Sequence, residues 1–226
     1  MIFPVLQDLA RLLDAITPEQ EDLPTPCDEF DVRTLRLHLL GWLDYFQAAL
    51  AGPGGDVRPD PEARMNEDRS GNRFDDSAAV IDKLTATLRA ALHDAVATRS
   101  VNVPRLGGSY PGSAVIDLLL VEVLGHGWDL ARATGLAWQP DPAASAHALD
   151  VLQAMVKPEY RGPGLPFGLA VPVSADVPAL DRLVAFTGRD PRWGAPEELS
   201  GPAGGTPAGG PQSQTELVTA ARAPPR

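Results

Sequence analysis

Apolar side chains recur every three to four positions through most of residues 1–194, and this period commits the chain to packed amphipathic helices. Leu6, Leu9, Leu12, Leu13 and Ile16 mark a first helix, which ends in the loop around Pro18 and Pro26. Asp31 is an N-cap residue for a second helix over residues 32–51, stopped by Gly52, Pro53, Gly54 and Gly55. Residues 52–75 are polar and aperiodic, so a long connection is expected there, forming part of a pocket rim. Asp75, Asp76 and Ser77 offer caps for a third helix with Ile81, Leu84, Leu88, Leu92 and Val96 on its apolar face. A Gly/Pro-rich link over residues 104–112 leads into a fourth helix over 113–134, closed by Gly135. Asp141 and Pro142 open a fifth helix that reaches Val156. Residues 165–173 alternate Pro with apolar side chains and read as extended or edge-strand chain, and a last helix over 178–187 ends at Gly188. Strands are scarce, so the expected fold class is mainly α: a four-helix bundle with an extra helix and a short C-terminal extension. The expected division is a bundle over residues 1–157, an extension over 158–194 packed on it, and a tail over 195–226. The tail carries six Pro, five Gly and no aromatic residue, too little to bury against its ordering entropy, so disorder is expected.

Charge narrows the function. With 30 acidic and 19 basic side chains the formal net charge is −11, and there is no basic block. Such a chain gains nothing from counterion release on a phosphate backbone or from an anionic membrane surface, so neither nucleic acid nor membrane is an expected partner. Residues 114–124 are the longest apolar stretch near the middle, interrupted by Asp117 and Glu122 and well short of the roughly 18 residues of a bilayer span. The first basic residue, Arg11, follows Asp8, which is unlike a secretory signal, and a cytoplasmic protein is expected. Cys27 is the single cysteine, so a metal would have to be held by His and carboxylate groups.

The informative positions are polar residues that the helical period turns inward. On the second helix Arg33, Arg36, Asp44 and Gln47 share a face, and at about 100° per residue His38 points away from it. On the fourth helix Asp117 and Arg132 mark the solvent side, whereas Glu122 and His126, one turn apart, point inward with Asp129 near them. A carboxylate among Leu118, Leu119, Val121 and Val123 needs a cationic partner, because an ionised and unpaired one costs at least several kcal/mol. Two readings follow. Two His and one carboxylate from two helices make an open divalent-metal site, His38, Glu122 and His126. Alternatively His38 is a hydrogen-bonded core residue and Glu122 and His126 simply pair. Asp129 likewise either accepts the other ring proton of a ligand His or pairs with a buried Arg. His93 and His147 are expected at the surface or boundary, Trp42 and Trp128 in the core, and Cys27 is read as structural.

The stretch Thr25-Pro26-Cys27-Asp28-Glu29-Phe30-Asp31-Val32-Arg33 with Leu37-His38-Leu39 resembles the N-terminal signature of the DinB-like, mycothiol-dependent maleylpyruvate isomerase superfamily. Residues 122–131, centred on His126-Gly127-Trp128-Asp129, resemble its second signature, and residues 181–191 the C-terminal part of its shorter members. The resemblance implies a DinB-like four-helix bundle holding a metal on His38, Glu122 and His126, usually zinc, with nickel, iron or manganese also suited to the donor set. It further implies mycothiol or a similar thiol as cosubstrate, in isomerisation or S-transfer on a small electrophilic metabolite. Such isomerases also carry a larger C-terminal α/β domain that contributes an Arg. Only about 30 residues separate Val156 from Gly188, too few for that domain, so the chain departs from the maleylpyruvate isomerases there. Arg182 and Arg189 could replace that Arg, Arg182 being a weak candidate, but surface salt bridging is the expected role of each. A non-catalytic metal- or small-molecule-binding bundle is the competing class. Bundles of this kind often pair through exposed helix faces, which makes a homodimer compatible with the reading.

Overall fold

The computed structural model describes residues 1–52, 58–69, 76–163, 165 and 167–194. The helices are α1 (Ile2–Ala15), α2 (Val32–Leu50), α3 (Ala63–Arg69), α4 (Ser77–His93), α5 (Gly112–Thr134), α6 (Pro142–Met155) and α7 (Ala179–Thr187). One antiparallel hairpin joins β1 (Ser100–Val103) to β2 (Gly108–Pro111), pairing Val101 with Tyr110 and Asn102 with Ser109. The chain is mainly helical, as the periodicity requires. α2 packs against α4 and α5, and α1 packs against the same two, so α1, α4, α2 and α5 form a four-helix bundle. α6 and α7 pack on each other and both touch α5.

The boundaries follow local chemistry. The Asp31 carboxylate accepts the Thr34 N–H at 2.7 Å and starts α2 where expected. Asp141 accepts the Ala143 N–H at 2.9 Å and Pro142 fills the first turn of α6. α5 and α7 both end in a left-handed Gly, Gly135 at φ 71° and Gly188 at φ 104°. The bundle core is aliphatic, with Leu9, Leu35, Leu39, Leu43, Leu84, Leu88 and Leu124 fully buried.

Five local expectations are corrected. Residues 52–75 include a helix, α3, whose residues are mostly polar; it is held by ion pairs from Arg64 to Asp44 and Asp76 and from Arg33 to Asp68. Gly41 permits its approach: a Cβ there would lie 1.9 Å from the Pro61 carbonyl oxygen. Asp76, occupied with Arg64, does not cap α4. The 104–112 link is the turn and second strand of the hairpin, whose first strand, Ser100-Val101-Asn102-Val103, alternates polar and apolar side chains with both Val buried. α4 ends at His93, so Leu92 is 41% exposed, and Val96 is buried from a 3₁₀ turn instead. Over 165–173 the described residues form no strand, only an isolated bridge between Arg161 and Phe167, because Arg161 takes the Gly168 and Phe186 carbonyls with its side chain. On α5 the residues expected to mark the solvent side, Asp117 and Arg132, are half-buried and exposed, but residues 118–131 between them are all buried, because the bundle covers one side and α6 and α7 the other. His93 is exposed, His147 bonds Asp117 at 2.8 Å on the surface, and Trp42 and Trp128 are core residues. The tail over 195–226 lies outside the described residues, as do residues 53–57 and 70–75 of the expected pocket rim.

Candidate metal centre

α2 and α5 are neighbours in the bundle, and their facing turns bring His38 together with Glu122 and His126. One donor atom from each of the three lies within 4.8 Å of the other two. All three are buried: His38 is 5%, Glu122 6% and His126 3% exposed. Phe30 and Trp42 stand beside His38 at ring-centre distances of 5.0 and 6.4 Å, and the His38 and His126 rings meet edge to face at 5.2 Å.

Behind His126 the structure builds a support in two steps. His126 Nδ1 lies 3.2 Å from an Asp129 carboxylate oxygen, and that carboxylate is gripped by Arg189, whose Nε and Nη2 both donate at 2.7 Å. Arg189 Nη1 donates to Thr187 Oγ1 at 2.8 Å, and Thr187 in turn donates to the Val184 carbonyl of α7. Asp129 is fully buried and Arg189 is 7% exposed. Asp129 is thus the buried partner of an Arg, and the same carboxylate lies within hydrogen-bond distance of His126. Burial opposes ionisation of the Asp129 carboxyl, but Arg189 and His126 outweigh it and hold its pKa below the usual carboxylate value. The surface role expected of Arg189 is wrong: the turn at Gly188 sends its side chain inward against α5. Arg182 is half-buried on α7 and forms no ion pair among the described residues. Of the two glycines flanking His126, Gly127 is required by space and Gly125 is not. A Cβ on Gly127 would lie 2.5 Å from the Trp138 ring, and one on Gly125 would touch the Arg189 guanidinium at 3.7 Å.

The front of the cluster is incompletely satisfied. The other ring nitrogen of His126, Nε2, lies 3.3 Å from Glu122 Oε2, without hydrogen-bond alignment. Buried Glu122 Oε2 and His38 Nδ1 have no hydrogen-bond partner. Burial, and then the neighbouring His126, pull the His38 pKa down to about 3, so its imidazole is neutral and its lone pair available. Burial also opposes a proton on His126, but Asp129 and Glu122 outweigh it and hold that pKa above the ordinary imidazole value. A neutral imidazole, a carboxylate and a second imidazole attracting positive charge are a donor set that fits one divalent cation.

Cys27 is not part of this set. It is 2% exposed, and burial together with the Asp129 charge pushes its thiol up to about 12. Alkylation by iodoacetamide at pH 8 is expected to be about a thousandfold slower in the folded protein than in urea, in proportion to the lost thiolate. Comparable rates in the two states, read by mass spectrometry, would contradict this.

These features define a DinB-like helical bundle with a buried two-His, one-carboxylate cluster. The chain belongs to the family described as the mycothiol maleylpyruvate isomerase N-terminal domain, whose pattern matches residues 3–131. That span holds all four polar residues from His38 to Asp129 but not Arg189. Two proteins of Mycobacterium tuberculosis, both described as uncharacterized, are similar over 183 residues at 31% identity, covering 81% of this chain and 92% of each. They are Rv0738 of strain ATCC 25618 / H37Rv and MT0763 of strain CDC 1551 / Oshkosh. No solved structure matches the chain significantly. No described helix is long and apolar enough to cross a membrane.

Proposed function

We propose that His38, Glu122 and His126 hold one divalent metal ion and that the protein is a metal-dependent enzyme using a low-molecular-weight thiol of the mycothiol kind. The reaction class is isomerisation or S-transfer on a small electrophilic metabolite. The observation that supports the metal above a plain Glu–His pair is His38. Pairing would account for Glu122 and His126, but it leaves a neutral, buried His38 with a ring nitrogen within 4.8 Å of both and an Nδ1 that has no hydrogen-bond partner. Zinc suits this donor set first, with nickel, iron and manganese as alternatives that analysis of the metal itself distinguishes.

The side chains divide the work. Asp129, clamped by Arg189, would accept the Nδ1 proton of a metal-bound His126 and so leave Nε2 free for the ion. Phe30 and Trp42 wall His38 with apolar surface, which keeps it neutral and limits water. A divalent cation on these donors lowers the pKa of a coordinating thiol into the neutral range and polarises an electrophilic carbonyl.

Elemental analysis of tag-free protein purified without added metal, beside His38→Ala and Glu122→Gln, tests the reading. About one divalent metal per chain is expected in the parent, with most of it lost in both variants. A metal-free parent, with Glu122→Gln as stable as the parent, would leave the polar cluster as a satisfied core network.

A further inference from the structure

A second site lies away from the polar cluster. Between α5, the end of α6, the hairpin and the segment after Val156 there is a cavity of about 330 Å³, lined by Leu118, Leu152, Phe167, Tyr110, Tyr160 and Lys157 among others. Its size falls at the lower end of small-molecule sites, and its wall is aliphatic and aromatic with few polar atoms, the usual composition of such sites. None of His38, Glu122 or His126 lines it.

The charge on the wall of this cavity is positive, in a chain whose net charge is −11. Lys157 is the one charged lining residue, and among the described residues it forms no ion pair. Behind the Phe167 wall stands Arg161, its guanidinium 5.8 Å from the Phe167 ring centre and 4.2 Å from that of Phe186. Arg161 also has no carboxylate partner among the described residues. Its Nη1 donates to the Gly168 and Phe186 carbonyls at 3.0 and 2.7 Å, and its buried Nη2 has no hydrogen-bond partner. Lys157 on the wall and Arg161 behind Phe167 are two cations without a carboxylate partner beside one apolar cavity, an arrangement that favours a negative group held at Lys157 over an apolar interior. The nearby Glu159 is exposed and does not line it. Tyr110 spends its hydroxyl proton on the Leu106 carbonyl at 2.7 Å, so its oxygen can only accept, whereas Tyr160 keeps its proton to donate.

The geometry points to a binding site for a small molecule with an apolar body and a single carboxylate, the body against Leu118, Leu152 and Phe167 and the carboxylate at Lys157 and the Tyr160 hydroxyl. This reading stands independently of the metal centre, because it shares no residue with it.

Methionine-methyl NMR of the full chain tests it directly. The sequence has three Met residues, of which Met155 lines the cavity and Met65 is buried on α3. Titration with octanoate is expected to shift the Met155 signal in a saturable way and leave Met65 in place. Hexanoate should bind about fifteenfold more weakly, at about fourfold per methylene. Octanol, which lacks the charge, should bind more weakly than octanoate, and Lys157→Gln should narrow that gap by about twofold to fivefold, the range of an exposed ion pair. Leu152→Trp, which fills the cavity, should remove both ligands while the thermal transition is retained. An unmoved Met155 signal, equal binding of octanoate and octanol, or octylammonium binding as tightly as octanoate would each overturn the proposal. Octanoate that binds Lys157→Gln and Leu152→Trp undiminished would place it outside this cavity and would also overturn the proposal.

Discussion

Replacing Arg189 by Met is expected to destabilise the fold by about 3–5 kcal/mol, because it leaves the fully buried Asp129 carboxylate without its bidentate partner. For a chain of this length that is a fall in Tm of roughly 10 °C, readable by calorimetry. The loss comes from the orphaned charge rather than from missing attraction. The double variant Asp129→Leu, Arg189→Met should therefore be more stable than Arg189→Met alone, with a coupling of about 2–3 kcal/mol. A single variant within about 1 kcal/mol of the parent, or strictly additive costs, would show that water reaches Asp129 and that the ion pair is not desolvated. The same experiment reports on function. Asp129 is the partner of His126 Nδ1, so loosening it should weaken metal affinity by the 10–100-fold typical of residues that orient a ligand.

The second large effect is expected at Gly127. Mid-helix Gly→Ala ordinarily stabilises by up to about 1 kcal/mol. Gly127→Ala should instead cost about 1–3 kcal/mol, because the new methyl would stand 2.5 to 2.9 Å from three atoms of the rigid Trp138 ring. Gly125→Ala, two residues away, is the control. Its nearest neighbour would be the Arg189 guanidinium at 3.7 Å, an ordinary contact, so it should be neutral or slightly stabilising. Urea unfolding of the two variants separates them. Equal stability of both would mean that Trp138 moves aside freely, and the close packing of the 136–139 segment on α5 would then not position His126.

The polar cluster is legible in the sequence because period and chemistry disagree at three positions. A helical wheel turns His38, Glu122 and His126 inward, and an apolar interior does not take a carboxylate without a reason. Asp129 lies near the edge of that wheel, where a His partner and an Arg partner are equally compatible with the spacing. Arg189 follows Gly188 at a helix end, a context in which Arg is usually solvated. No local signal marks its inward turn, since its partner is 60 residues away. The short α3 is too brief to show a period, and the hairpin offers only the four-residue alternation of Ser100 to Val103; Gly41, set against the Pro61 carbonyl, and Gly112, set against the Val96 carbonyl, mark close backbone approaches.

The amino-acid sequence alone determines the helical class, the main caps at Asp31, Asp141, Gly135 and Gly188, and the identity of the inward polar residues, because each depends on neighbours within a turn or two of chain. Tertiary structure decides that α6 and α7 close over α5, that Arg189 turns inward to clamp Asp129, and that an apolar cavity with cations at its edge forms beside Phe167. These depend on which distant segments exclude water from one another, and the cost of an unpaired buried charge is defined only once that water is gone.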